Sequence, residues 1–205
     1  KSCTSILTAE NLKSKHHIFV LVPASLEENW KEEIINVCGD SEYKNNPNLI
    51  YKYYTFIKYN SSNINLLYTQ YINNNYIGDT IDFIYNNNNL SGVIIDVIGL
   101  FESNKYNINI YKIQINNDII EYNSNDIEII YNKNKNVFSN KVVIIDEIHN
   151  LISMYKSNNL ITNNISNTVI YRNKTYNDLI SAINTKILLL SGTPIINNIK
   201  ELKYI

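Results

Sequence analysis

The sequence predicts an α/β fold built on a parallel central sheet, and three short apolar runs carry that prediction: Ile18–Val22 (IFVLV), Val142–Ile145 (VVII) and 187–190 (ILLL). Each run is continuous rather than alternating, as in a strand covered on both faces. Each also stops abruptly at polar or small residues, and helical patterns lie beside them, the order of an open α/β sheet. Ligands bind such sheets at the carboxyl ends of the strands, so the residues directly after each run are the first candidates for chemistry.

Taken in order, residues 1–12 are expected to form an opening helix ahead of the Ile18–Val22 strand. After Pro23 a second helix is expected over 25–37, with Ser25 as N-cap, Glu28 at the capping-box position, and Trp30, Ile34 and Val37 at helical spacing. That spacing places Trp30 in the core in preference to a base-stacking role. The middle of the chain changes period. Tyr106, Ile108, Ile110, Ile113, Ile115, Ile119 and the run 127–130 alternate with Asn, Lys and Asp, which predicts an inserted β-meander over 93–137. Its run VIIDV resembles the later VVIIDE, but Asp96 is followed by Val97 rather than a second acid and is set aside. The asparagine runs 73–75 and 86–89 read as loop insertions. A short helix over 177–184 would return the chain to the 187–190 strand.

Composition narrows the function. With 44% hydrophobic residues the chain can bury a core, and its length suits one domain spanning 1–205. The net charge of −1 excludes a global basic field, so any nucleic-acid contact must be local. Asparagine supplies roughly a fifth of the residues, a bias that an A+T-rich coding sequence produces. Cys3 and Cys38 are too few for a disulfide framework and lack the C-x-x-C spacing of a zinc site or redox motif, so an intracellular, reducing compartment is expected. No apolar stretch is long enough to span a bilayer, and a membrane is not expected as a partner. The chain opens on Lys1 rather than methionine, and Ile205 falls inside an amphipathic pattern without a stop signal. Both ends are expected to lie inside a longer protein.

Three segments carry candidate chemistry. In KVVIIDEIHNL, Asp146, Glu147 and His149 follow a strand directly. One carboxylate there could reach a magnesium ion and the next could orient and deprotonate a water; the plainer reading is a strand-to-loop transition with solvated charges. In the second segment, Ser191, Gly192, Thr193 and Pro194 end another strand, where small hydroxyl residues could relay hydrogen bonds between two ligands or simply form a turn. The third is Lys1-Ser2, which matches the tail of the phosphate loop G-x-x-x-x-G-K-[ST]. Its lysine neutralises β and γ phosphates and its hydroxyl ligates magnesium. His16 and His17 have no metal-spaced partner and read as a polar helix-to-strand junction.

In combination these segments resemble the Swi/Snf-like branch of the superfamily 2 helicases, in the versions found in large DNA viruses. Lys1-Ser2 matches the end of motif I; Val22, Pro23, Ala24, Ser25, Leu26, Asn29 and Trp30 match motif Ia; Asp146 to His149 match motif II; and Ser191 to Pro194 with Asn197 match motif III. The glycine-rich part of motif I is not in this chain. The resemblance implies a RecA-like P-loop NTPase lobe with ATP and Mg2+ at the strand ends. Lys1 would lie on phosphates, Ser2 and Asp146 on the metal, and Glu147 would be the catalytic base, with His149 and the Ser191/Thr193 pair coupling nucleotide to nucleic acid. Ser25, Thr193 and nearby backbone would touch phosphates rather than bases.

The implied function is an ATP-dependent translocase or helicase on DNA in preference to RNA, in viral transcription or genome handling. It would work with a second RecA-like lobe of the same chain and with viral transcription machinery, at a cytoplasmic replication site or in the virion. On its own the chain is expected to hydrolyse ATP weakly or not at all, since the second lobe supplies an arginine finger. A non-catalytic scaffold within a transcription complex and a restriction-system motor are the alternatives.

Overall fold

A computed structural model describes residues 1–62, 64, 74–102, 105–130, 135–159 and 167–192 of the chain, with backbone alone at 101, 102, 105, 156–159 and 167–172. The parallel sheet has four strands in the order β2-β1-β8-β9, where β1 is Ile18–Val22, β2 Tyr54–Lys58, β8 Val142–Ile145 and β9 Lys186–Leu189. Val20 of β1 pairs with Phe56 on one side and Ile144 on the other, and Ile144 pairs with Leu188. The two central strands are buried at every position, which explains their unbroken apolar sequences.

Helices cover both faces. On one face Ile18, Val20, Val22, Val142 and Ile144 pack with Ile6 and Ala9 of α1 (Ser2–Glu10), Trp30 of α2 (Glu27–Glu33), Ile34 and Cys38 of its π-helical extension Ile34–Cys38, and Tyr43 of the short α3 (Glu42–Asn45). A further turn, α4 (Ile50–Tyr53), leads into β2. On the other face Phe19, Leu21, Val143 and Ile145 pack with Ile148, Leu151 and Ile152 of α5 (Ile148–Asn159) and Leu179 of α6 (Asn167–Ser181). The result is a three-layer α/β/α arrangement.

Between β2 and β8 lies a five-stranded antiparallel sheet, ordered β6-β5-β4-β3-β7, formed by β3 (Thr80–Tyr85), β4 (Asn88–Glu102), β5 (Lys105–Ile115), β6 (Asp118–Asn123) and β7 (Glu128–Ile130). It has its own core of Ile81, Phe83, Ile94, Val97, Tyr111, Ile113 and Tyr122. The sheet starts at Thr80, ahead of the expected 93. It is not a pure meander, because β7 returns to pair with β3. The asparagine run 86–89 is no loop insertion: Asn86 and Asn87 form a two-residue hairpin turn, both at positive φ (48° and 62°), while Asn88 and Asn89 already belong to β4. Asp96 sits inside β4 and pairs with Lys52 at 2.8 Å, away from the parallel sheet's carboxyl edge.

Four other expectations need correction. Ser25 does not cap a helix; it lies within a 3₁₀ turn, Ala24–Leu26, and α2 begins after it without a side-chain cap. Val37 is 72% exposed, because the chain widens to a π-helix after Glu33 and shifts the apolar stripe so that Ile34 and Cys38 face inward instead. The helix before β9 is longer than expected and starts at Asn167. Finally, Cys3 and Cys38, read as too few for a disulfide framework, are nonetheless bonded to each other. With Cα atoms 5.4 Å apart they form a disulfide joining α1 to the end of the π segment, a meeting that only helix packing brings about. Among the described residues no helix is long and apolar enough to cross a membrane.

Candidate functional site

All four parallel strands deliver their carboxyl ends to one edge, and backbone hydrogen bonds carry the ladder past them. Asp146 N–H donates to Leu21 C=O (2.9 Å), Leu190 N–H to Ile145 C=O (2.8 Å) and Ile148 N–H to Leu190 C=O (3.2 Å). Asp146 and Leu190, the residue before Ser191, are thus held by the sheet ladder itself.

Asp146 is half-buried, and each carboxylate oxygen accepts one hydrogen bond: Oδ1 from the Glu147 N–H (2.9 Å) and Oδ2 from the Trp30 indole Nε1–H (2.9 Å). Trp30 is 4% exposed. Losing its carboxylate partner would leave a buried donor unsatisfied, at a cost of about 1–3 kcal/mol. Glu147 has φ of 50°, a left-handed conformation that L residues other than Asn and Asp adopt at a cost. The buried Tyr59, directly after β2, spans this turn, its hydroxyl lying 3.1 Å from the Asp146 carbonyl oxygen and 3.3 Å from that of Glu147. Burial first, then the charges of Asp146 and Glu147, pushes the Tyr59 phenol above its ordinary range, so it stays a donor.

His149, the second residue of α5, brings Nδ1 to 3.1 Å from Glu147 Oε2 and 2.9 Å from Ser191 Oγ. Lys1 is the N-cap of α1, and its Nζ donates to the Ser191 carbonyl at 3.0 Å. Gly192 lies between two charged groups. A Cβ built there would stand 3.6 Å from Lys1 Nζ and 3.9 Å from Glu147 Oε1, ordinary van der Waals contact, which places this position between the two side chains. Ser2 is half-buried at the first position of α1.

Lys1, Glu147, His149, Ser191 and Gly192 therefore meet, with Asp146 next to Glu147 in the chain. Ser25 is exposed in the turn after β1, at the same edge; the Ala24 N–H beside it donates to Asn60 Oδ1 at 2.9 Å, which ties the ends of β1 and β2 together. Thr193, Pro194 and Asn197 lie outside the described residues. Sequence reasoning missed Tyr59 and Asn60, although the rule used for the other strands, to look directly after the carboxyl end, would have found both had Tyr54–Lys58 been recognised as a strand. It placed Trp30 in the core but not its indole N–H on Asp146.

The residues suit a magnesium–nucleotide complex in kind. A cation with hard oxygen preference would meet a carboxylate held at both oxygens and still half-accessible, and a phosphate would meet an ammonium at a helix start. Among the described residues no cluster of three or more His, Cys, Asp or Glu is placed to hold a metal ion by itself.

No family model matches the chain. Over 43 residues, 21% of its length, the chain is 46% identical to a protein of Acanthamoeba polyphaga mimivirus named "Putative ATP-dependent RNA helicase R563". That stretch is 8% of the viral protein, so the chain spans less than a tenth of the relative it matches. The similarity relates this chain to a viral helicase-named protein across that stretch.

Proposed function

We propose that the chain is the first nucleotide-binding lobe, RecA-like in kind, of an ATP-driven nucleic-acid motor of the superfamily 2 helicases, Swi/Snf-like in branch. Residues 1–205 belong to that lobe, and the antiparallel sheet is an insertion in it. One observation carries the reading: Lys1, the Asp146–Glu147–His149 segment and Ser191–Gly192 converge on the carboxyl edge of a single parallel sheet. The mimivirus similarity supports it from an independent direction.

In this reading Lys1 exchanges its bond to the Ser191 carbonyl for phosphate oxygens, and Ser2 and Asp146 hold Mg2+. When bound, the metal would neutralise charge developing on the phosphates. Glu147 orients a water and takes its proton. His149, bridging Glu147 and Ser191, passes the state of the catalytic carboxylate to the segment after β9. Ser25, and Thr193 beyond the described residues, contact the phosphates of the track, so binding is sequence-independent and weakens with salt. The second lobe and the viral transcription machinery are the proposed partners, at a viral replication site or in the virion. The sequence resemblance favours DNA as the track, whereas the relative's name specifies RNA; stimulation of turnover by duplex DNA against duplex RNA decides between them.

The direct test is Glu147→Gln in the full-length protein. Nucleotide binding is expected to persist while turnover falls about 10²–10⁴-fold, the scale of a lost general base. Turnover equal to wild type would remove Glu147 from the catalytic role and the motor reading with it.

A further inference from the structure

The Trp30 indole and the Asp146 carboxylate lie 116 positions apart in the chain and meet at 2.9 Å beside the sheet edge. Asp146 is bonded at its other oxygen by its neighbour's N–H. One donor on each oxygen fixes the carboxylate plane and leaves further acceptor capacity on both atoms. The nature of the distal donor matters. A lysine or arginine would cancel the carboxylate charge, whereas the indole N–H is neutral and can only donate, so it orients the group and leaves its charge to attract a cation. Trp30 is itself held fast, buried with Ile6, Val20, Val22 and Ile34 in the apolar layer between α1, α2 and the sheet. It cannot follow the carboxylate to another rotamer.

We propose that Trp30 is a positioning residue for Asp146, setting the direction from which that carboxylate ligates the divalent cation that accompanies nucleotide. The proposal rests on the nucleotide-site reading above and adds a residue to it. Hydrogen-bond partners of metal ligands commonly account for 10–100-fold in metal affinity.

The test uses the full-length protein, with Mn2+ in place of Mg2+, ADP as the nucleotide, and free and bound Mn2+ distinguished by electron paramagnetic resonance. Trp30→Phe keeps an aromatic ring and removes the donor; Mn2+ affinity in the presence of ADP is expected to fall roughly 10–100-fold. Because the smaller ring could loosen the core, a second variant carries the benzothiophene analogue of tryptophan at position 30, with the bicyclic shape kept and sulfur in place of N–H. It is expected to show the same loss at a thermal midpoint close to wild type. Wild-type Mn2+ affinity in the analogue variant overturns the positioning role and leaves the nucleotide site standing. No saturable Mn2+–ADP binding by the wild-type protein overturns both.

Discussion

Six described residues other than glycine have positive φ, and five of them are asparagines: Asn86, Asn87, Asn116, Asn140 and Asn184. Asparagine tolerates the left-handed region because its short amide can bond locally, so the compositional bias supplies turns at small cost. Glu147 is the sixth, at φ 50°, and has no such excuse. A non-glycine residue held there typically stores about 1–3 kcal/mol, and such strain concentrates where a side chain must be aimed. The Tyr59 hydroxyl, within reach of both carbonyls of this turn, helps hold it. Tyr59→Phe is therefore expected to lower stability by about 1 kcal/mol in urea unfolding, and to lower turnover in the full-length protein because the Glu147 carboxylate is less firmly aimed. A variant as stable as wild type would show that the turn is held by the sheet alone.

At the scale of elements, two contacts decide how helices and strands sit. The Cys3–Cys38 bridge closes a sequence separation of 35 residues and ties α1, whose N-cap is Lys1, to the end of the π segment after α2. In the chain-entropy description such a loop contributes about 3–4 kcal/mol. Reduction, or Cys3→Ser, should lower the urea midpoint accordingly, and an unchanged midpoint under reductant would show that helix packing alone suffices. In the antiparallel sheet, Gly99 marks a register shift between β4 and β5, where an added Cβ would lie against the backbone carbonyl of Asn107. The obstacle is backbone, which cannot rotate away. Gly99→Ala is expected to cost about 1–3 kcal/mol and to speed amide exchange in β4 and β5 before the parallel sheet; protection equal to wild type there would refute the steric argument.

At the scale of the molecule, the two sheets are sewn together by residues 76–79 at the amino edge of the parallel sheet, opposite the candidate site. His17 N–H donates to Ile77 C=O (3.1 Å), Gly78 N–H to Ile94 C=O (2.8 Å) and Ile94 N–H to Asp79 C=O (2.8 Å). The Asp79 carboxylate accepts from the buried Lys141 ammonium and from Lys135 at 2.7 Å. Burial works against that charge, but the two lysines outweigh it and hold the carboxyl below its ordinary pKa. His17, on β1's doorstep with Nε2 2.8 Å from Thr55 Oγ1, is pushed down to about 3, first by burial and then by Lys141. Its folded pKa is depressed, so between the ordinary histidine value and about 3 the unfolded state holds the extra proton. Stability is complete above about pH 6.5 and declines as pH falls, with a slope approaching about 1.4 kcal/mol per unit from this group. Urea midpoints measured from about pH 7.5 to 5 should follow that decline, and His17→Gln should flatten it; an equal slope in the variant would assign the decline to other groups.

The parallel strands β1 and β8 and the segments that follow them were legible in the sequence because burial on both faces demands unbroken β-branched and aliphatic runs, a signal needing no partner to be read. Helix 25–37 was legible in place but not in phase, since one π turn moves Val37 to solvent without leaving any mark in composition. The 54–58 strand was missed because its YTFIK mixes Tyr, Thr and Lys with apolar residues, and Tyr59 was missed with it. By itself, then, the sequence determined an α/β chain with Asp146, Glu147, His149 and Ser191 directly after strands. Only the tertiary structure decided that Lys1 reaches Ser191, that Trp30 bonds Asp146 and that Cys3 meets Cys38. Those contacts span separations of 190, 116 and 35 residues and depend on strand order and helix packing, which local patterns do not encode.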